Sequence, residues 1–145
     1  MSDILQVRKV LVPTDFSELS TNAVHVADRI ATEREAELTL LHIHPIVQTA
    51  FLDLTYTEPP EKLAESIRFL EDKIILLAKT LKTPMHRITP KVLIGSPVEV
   101  IAAESENHGL LVISTHGRTG LSHLLLGSVA ERVVRLARCS LLVVK

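Results

Sequence analysis

Between positions 114 and 128 the chain reads Ser-Thr-His-Gly-Arg-Thr-Gly-Leu-Ser-His-Leu-Leu-Leu-Gly-Ser, with glycines at 117, 120 and 127. Glycine lets a backbone take positive φ and come up against a ligand with no Cβ in between. Ser128 is followed three residues later by Glu131, the spacing of a capping box, so a helix is expected to start there with Ser128 as its cap. A helix start offers unpaired N–H groups and the positive end of the helix dipole, which together attract anions. Strand, glycine loop and helix start in that order outline a phosphate cradle. The same order also describes a glycine-rich connection with no ligand, which is common in α/β folds.

Other residues with chemical potential are scattered. Asp15 follows a short apolar run and could face a ligand; with Glu18 three residues on, it could equally cap the first helix. His42 and His44 alternate along a strand and so share a face, but no third metal ligand stands near them, and a packed or hydrogen-bonded pair explains them as well. His116 and His123 lie in the glycine loop and could titrate near a bound phosphate, but are expected simply as exposed loop residues. Arg132, Arg135 and Arg138 recur every three residues and read as a solvated helix face near its C-terminus. Cys139 has no partner signature for a nucleophile. The P-loop pattern is absent, since Gly95-Ser96-Pro97 lacks the lysine, and no dinucleotide fingerprint follows the first strand.

Short aliphatic runs alternating with helical periodicity must position these groups. Strands are expected at Val10–Val12, Leu38–Ile43, Val92–Ile94, Leu110–Ile113 and Leu141–Val144. Helices are expected from Leu19 to Ala31, Lys62 to Leu81, Pro97 to about Glu106, and Val129 to Ala137. The order β-α-β-α-β-α-β-α-β, with right-handed crossovers, gives a five-stranded parallel sheet covered by helices on both faces. Ligands of such sheets bind beyond the carboxyl ends of the strands, where strand order reverses. The connection from Pro45 to Pro60 reads as a long loop, either a lid or a surface crossing that tucks Phe51, Leu52, Leu54 and Tyr56 onto the sheet. Leu121, Leu124, Leu125 and Leu126 are expected to pack against the end of the sheet rather than to form a partner surface.

The 145 residues suit one domain, and 46% apolar content with only 3% aromatics requires an aliphatic core, as buried parallel strands have. A formal charge of -1 gives no electrostatic reason to expect nucleic acid or an anionic membrane as partner. A single cysteine suits a reducing compartment, the first residues lack an apolar signal core, and no apolar run reaches the ~20 residues of a membrane span. A cytoplasmic location is the expectation.

From residue 8 to the C-terminus the sequence resembles the ATP-binding subgroup of the universal stress proteins. The resemblance is carried by Val10-Leu-Val-Pro-Thr-Asp15, Leu40-Leu-His-Ile43, Thr115-His-Gly-Arg-Thr-Gly-Leu121, Leu126-Gly-Ser-Val-Ala-Glu-Arg132 and the closing Leu141-Leu-Val-Val-Lys145. The family motif is glycine, two residues, glycine, nine residues, then glycine followed by serine or threonine. Here Gly117 and Gly127 are its second and third glycines and Ser128 follows, whereas Ser114 stands at the first. That departure puts a Cβ and a hydroxyl where the family brings backbone close to nucleotide.

The resemblance implies a single Rossmann-like domain over residues 1–145, of the adenine nucleotide alpha-hydrolase-like type with strand order 3-2-1-4-5. It implies ATP and Mg²⁺ as cofactors. Gly117, Gly127, Ser128 and Val129 would contact phosphates, and Arg118 would add charge to the triphosphate. Asp15 would face ribose or a phosphate-bound Mg²⁺, Pro13, Thr14, Ile43 and Ile113 would line the adenine and ribose pocket, and Ser114 would lie against the nucleotide. A homodimer paired through the strand Leu141 to Val144 is implied as well, which would cover an apolar edge. The function implied is a nucleotide-dependent stress-response regulator or sensor. The alternatives are a slow ATPase, with His116 as candidate base, or a nucleotide-independent dimeric interaction module.

Overall fold

The computed structural model describes residues 7–46, 49–51, 54–56, 58–116 and 126–145. In chain order the elements are β1 (Lys9–Pro13), α1 (Glu18–Arg34), β2 (Glu37–His44), β3 (Thr49–Phe51), β4 (Leu54–Tyr56), α2 (Pro60–Lys79), a 3₁₀ turn (Met85–Arg87), β5 (Ile88–Ile94), α3 (Pro97–Ser105), β6 (Leu110–Ser114), α4 (Ser128–Leu136) and β7 (Ser140–Val144). Five strands form one parallel sheet in the order β5-β2-β1-β6-β7. Counting only the strands of that sheet, this is the expected 3-2-1-4-5. The order turns back between β1 and β6, so their carboxyl ends flank the one place where outgoing chains diverge.

The period of two along each strand sorts the core into two layers. Val10, Val12, Leu38, Leu40 and Val112 face the helices α1 and α2, meeting Ala23, Ala27, Ala31, Ile74 and Ala78. Leu11, Leu41, Ile43, Leu111 and Ile113 face α3 and α4, meeting Val98, Ile101, Ala130 and Val133. The alanine stripe on α1 explains how an aliphatic core without large aromatics closes: small side chains let the helix approach the strands. Among the described residues no helix is long and apolar enough to cross a membrane.

Three elements differ from expectation. The third strand of the sheet begins at Ile88 rather than Val92, because Ile88–Lys91 pair with Leu38–Leu41. Pro90 lies within it, which is tolerated because β5 is an edge strand. The connection after β2 is not wholly irregular, since Thr49–Phe51 and Leu54–Tyr56 pair antiparallel. The choice between lid and surface crossing concerns its side chains, which lie outside the described residues. Finally α2 starts at Pro60, whose missing N–H costs nothing in the first turn.

Candidate functional site

The carboxyl end of β1 runs into a turn held from several sides. The Thr14 N–H donates to the Leu41 carbonyl at 2.8 Å, and the Thr14 hydroxyl, 4% exposed as a residue, accepts from the Phe16 N–H at 3.0 Å. His42 Nδ1–H donates to the Thr14 carbonyl at 2.7 Å, which fixes the tautomer at that nitrogen. Phe16 sits at φ 64, an expensive left-handed conformation for a residue with a Cβ. Its ring holds the turn in place, 4.8 Å from the His42 ring and 4.4 Å beneath the Lys73 ammonium.

Asp15 does not cap α1 with Glu18. The cap is Ser17, whose side chain accepts from the Ser20 N–H. Asp15 Oδ1 instead accepts from the Ser17 N–H at 2.9 Å and the Ser20 hydroxyl at 2.8 Å, an Asx turn that places the carboxylate at the cleft wall. Ser17, two positions on, takes the capping part that local spacing assigned to Asp15.

At the end of β6 the Thr115 N–H donates to the Val144 carbonyl at 3.0 Å, and the Thr115 carbonyl accepts from the Gly127 N–H at 2.7 Å. The chain leaving at 116 and the chain returning at 126 are therefore tied together at their base. The Ser114 hydroxyl, expected against ligand, donates to the His116 carbonyl at 3.0 Å. The serine at the family's glycine position thus uses its hydroxyl to brace the loop.

Ser128 does not cap α4. Gly127 is the cap residue and its carbonyl accepts from the Glu131 N–H at 2.9 Å, so Ser128 is the first helical residue. The bond from Gly127 to Thr115 decides this, and it moves Glu131 out of the capping-box position. The Glu131 carboxylate pairs with Arg135 at 2.9 Å instead. No side chain caps this helix. The first N–H groups have no carbonyl inside the helix, so they remain available at the cleft. A Cβ on Gly127 would stand 3.0 Å from the Thr115 carbonyl oxygen and 3.5 Å from His116 Cα, so glycine is what lets the two chains come this close.

These ends enclose a cleft of about 330 Å³, within the usual range for small-molecule sites. Pro13, Thr14 and Asp15 line it from β1, Ile43 from β2, and Ile113 and Ser114 from β6. Gly127, Ser128 and Val129 line it from the start of α4. Asp15 and the start of α4 share this cleft with the apolar Leu41, Ile43, Pro97 and Ile101. Gly117 and Arg118 lie outside the described residues, as do Gly120, His123 and the leucines at 121, 124 and 125. Leu126 is described and is exposed rather than packed.

Sequence reasoning missed several lining residues. Pro97 and Ile101 enter because α3 folds over the strand ends, and Ser20 enters through its bonds to Thr14 and Asp15. A serine one turn into α1 was the available signal. His116 was expected as exposed, yet its Nε2 is buried.

The remaining residues singled out by type make other contacts, with His42 also lining the cleft. His44 pairs with Glu58 at 3.3 Å while His42 serves the β1 turn, and no group of three or more His, Cys, Asp or Glu gathers for a metal among the described residues. Arg135 and Arg138 are paired on the surface with Glu131 and Glu106. The Cys139 thiol is pushed up by burial and donates to the Ser140 carbonyl.

A family model described as the universal stress protein family matches residues 6–145. The universal stress protein MJ0531 of Methanocaldococcus jannaschii is 33% identical over 141 residues, covering 95% of this chain and 82% of that relative. A universal stress protein solved in complex with cAMP has the same fold at a TM-score of 0.70, with 23% identity, 97% of this chain and 98% of that chain covered. The universal stress protein of Archaeoglobus fulgidus in complex with dAMP superposes at a TM-score of 0.62, with 17% identity, 95% of this chain and 98% of that chain covered.

Proposed function

Because the chain belongs to the universal stress protein family, we propose that its cleft binds ATP and that the protein acts in the cytoplasm as a nucleotide-dependent stress-response regulator. The observation that carries this reading is the uncapped start of α4, tied through Gly127 to Thr115 and lining one cleft with Asp15. The phosphates would lie on the N–H groups of Ser128 and Val129 and against Gly127, whose own N–H is taken by the Thr115 carbonyl, together with Gly117 and Arg118 of the glycine loop. Pro13, Thr14, Ile43 and Ile113 would enclose adenine and ribose. Asp15 would face the ribose or a Mg²⁺ ion bound to the phosphates. The same-fold proteins solved with cAMP and dAMP support an adenine nucleotide as the class of occupant.

Titration calorimetry with ATP and Mg²⁺ is expected to give a micromolar dissociation constant, and ATP is expected to raise the unfolding temperature. No affinity below the millimolar range, with no thermal shift, would remove this reading. Nucleotide identity follows from mass spectrometry of freshly purified protein.

A homodimer belongs to the same proposal. β7 is an edge strand, and Leu142 on it is 38% exposed. An apolar edge with unpaired backbone groups invites antiparallel pairing across a two-fold axis. Light scattering is expected to give twice the chain mass, and a monomer at high concentration would contradict it.

A further inference from the structure

Ser20 lies in the first turn of α1, 3% exposed, and its hydroxyl grips Asp15 at two points. It donates to Asp15 Oδ1 at 2.8 Å and accepts from the Asp15 N–H at 3.3 Å. Capping does not need this hydroxyl, because Ser17 caps α1 through the Ser20 backbone N–H. A serine inside a helix ordinarily turns its proton back onto a carbonyl of the preceding turn. That carbonyl, of Ser17, lies at 3.1 Å, farther away than the carboxylate. Hydrogen bonds to an ionised acceptor are the shorter and stronger ones, so the Ser20 proton belongs to Asp15.

Proton counting gives the cluster one direction. A serine hydroxyl has a single proton to give. With that proton on Asp15, the Thr14 hydroxyl at 3.1 Å must donate to Ser20 rather than accept from it. The Ser17 hydroxyl donates to Ser20 as well, at 3.2 Å. Two neighbouring hydroxyls thus converge on Ser20, which passes one hydrogen bond on to the carboxylate. Chained hydrogen bonds polarise one another, so the last of them gains from the others. The Ser17 N–H is a second donor to the same Asp15 oxygen, at 2.9 Å. Asp15 is the partly exposed end of this chain, and it lines the cleft.

We propose that Ser20 is a positioning residue of the nucleotide site, holding the Asp15 side chain in the orientation in which it meets the ribose or a phosphate-bound Mg²⁺. Ser20, almost wholly buried, acts through Asp15 rather than on the ligand. The inference rests on the ATP reading above and adds to it a residue that the cleft lining alone does not assign. One hydroxyl holds both the N–H and the carboxylate of Asp15, so that side chain has lost its rotation before a ligand arrives. Binding then does not have to arrest it, which is the advantage of a preorganised site.

The test compares the full chain with Ser20→Cys, Ser20→Thr, Asp15→Ala and the Ser20→Cys, Asp15→Ala double variant. Competition by ATP with Mg²⁺ against a fluorescent ATP analogue measures affinities into the millimolar range, and urea unfolding confirms that each variant is folded. Ser20→Cys fills nearly the same space with a weak donor and is expected to weaken ATP binding about three- to tenfold. Ser20→Thr keeps the hydroxyl and should stay within about twofold of wild type. Asp15→Ala should weaken ATP at least as much as Ser20→Cys does. Adding Ser20→Cys to it should then change affinity by less than about twofold, because residues acting as one unit are not additive. Where Ser20→Thr fails to fold the double-variant cycle decides, and where Asp15→Ala abolishes binding the cysteine and threonine variants decide. Wild-type affinity in Ser20→Cys, an equal loss in Ser20→Thr, or an undiminished Ser20→Cys effect beside Asp15→Ala would overturn the proposal and leave the ATP reading standing. A wild type that binds no ATP would overturn both.

Discussion

Gly127→Ala is expected to weaken ATP binding by about one to two orders of magnitude while costing no more than about 1 kcal/mol of stability. The added Cβ would sit 3.0 Å from the Thr115 carbonyl oxygen, closer than ordinary contact, and that oxygen belongs to backbone. It cannot swing away as the tip of a long side chain can. Relief must come from lengthening the 2.7 Å bond between the Gly127 N–H and the Thr115 carbonyl, which shifts the first turn of α4. Two or three phosphate donors move with it, and hydrogen bonds to charged acceptors contribute about 1.5–3 kcal/mol each, with tenfold in affinity for every ~1.4 kcal/mol. Folding is affected less. The φ of Gly127 is −59, open to alanine, so the main cost to folding is that alanine is the poorer cap residue, by about 1 kcal/mol. Calorimetry with ATP beside urea unfolding separates the two effects. Unchanged affinity in a variant of unchanged stability would mean that phosphates are not held at this helix start.

The sequence carried the fold because buried parallel strands write themselves as consecutive apolar residues. Val10-Leu-Val has no polar residue, Leu38 to Ile43 has only Thr39 and His42 among aliphatic neighbours, and Leu63 to Leu81 repeats at helical spacing. Legibility failed where an element borrows its stability from a neighbour. Ile88-Thr-Pro-Lys91 has neither an apolar run nor a permitted central-strand composition, and it is a strand because β2 supplies its partners. The helix caps failed for the same reason. Ser128 with Glu131, and Asp15 with Glu18, are valid local patterns, but the Thr115–Gly127 bond moves one cap and Ser17 with Ser20 replaces the other. Spacing along the chain could name Asp15, Gly127 and Ser128 as residues that share a place. It could not say that Ser114 would turn its hydroxyl onto His116, or that the His116 nitrogen would be buried. Those depend on two segments meeting, which the positions of β1, β6 and α4 decide.

Asp28→Ala is expected to lower unfolding stability by about 3 kcal/mol without touching the cleft. Asp28 is 5% exposed on α1, and its carboxylate accepts from the Lys82 N–H at 2.9 Å, the Thr83 N–H at 2.8 Å and the Thr83 hydroxyl at 2.7 Å. These bonds clamp the segment between α2 and β5 onto α1. Removing the carboxylate leaves the Thr83 N–H buried without an acceptor, at about 1–3 kcal/mol, and costs the Thr83 hydroxyl its shortest bond, leaving it the Asp28 backbone carbonyl at 3.3 Å. Lys82 is exposed, so its N–H can turn to water and adds little. The same group sets an acid limit. Burial pushes the Asp28 carboxyl up, but the hydrogen bonds from Lys82 and Thr83, with the charge of nearby His25, outweigh it and hold the group below its ordinary value. A carboxyl whose folded pKa is depressed stabilises the fold above its unfolded pKa, and that contribution fades as pH falls toward the folded one. Wild-type stability should therefore begin to drop as the pH passes down through the ordinary carboxylate range, and this part of the loss should finish only below it. Asp28→Asn keeps one acceptor oxygen and cannot titrate, so it should be weaker than wild type at neutral pH and lose less on acidification. Urea unfolding of the three proteins across that range measures both effects. A loss under about 1 kcal/mol for Asp28→Ala, or parallel acid profiles for wild type and Asp28→Asn, would show that the clamp does not set the stability of this fold.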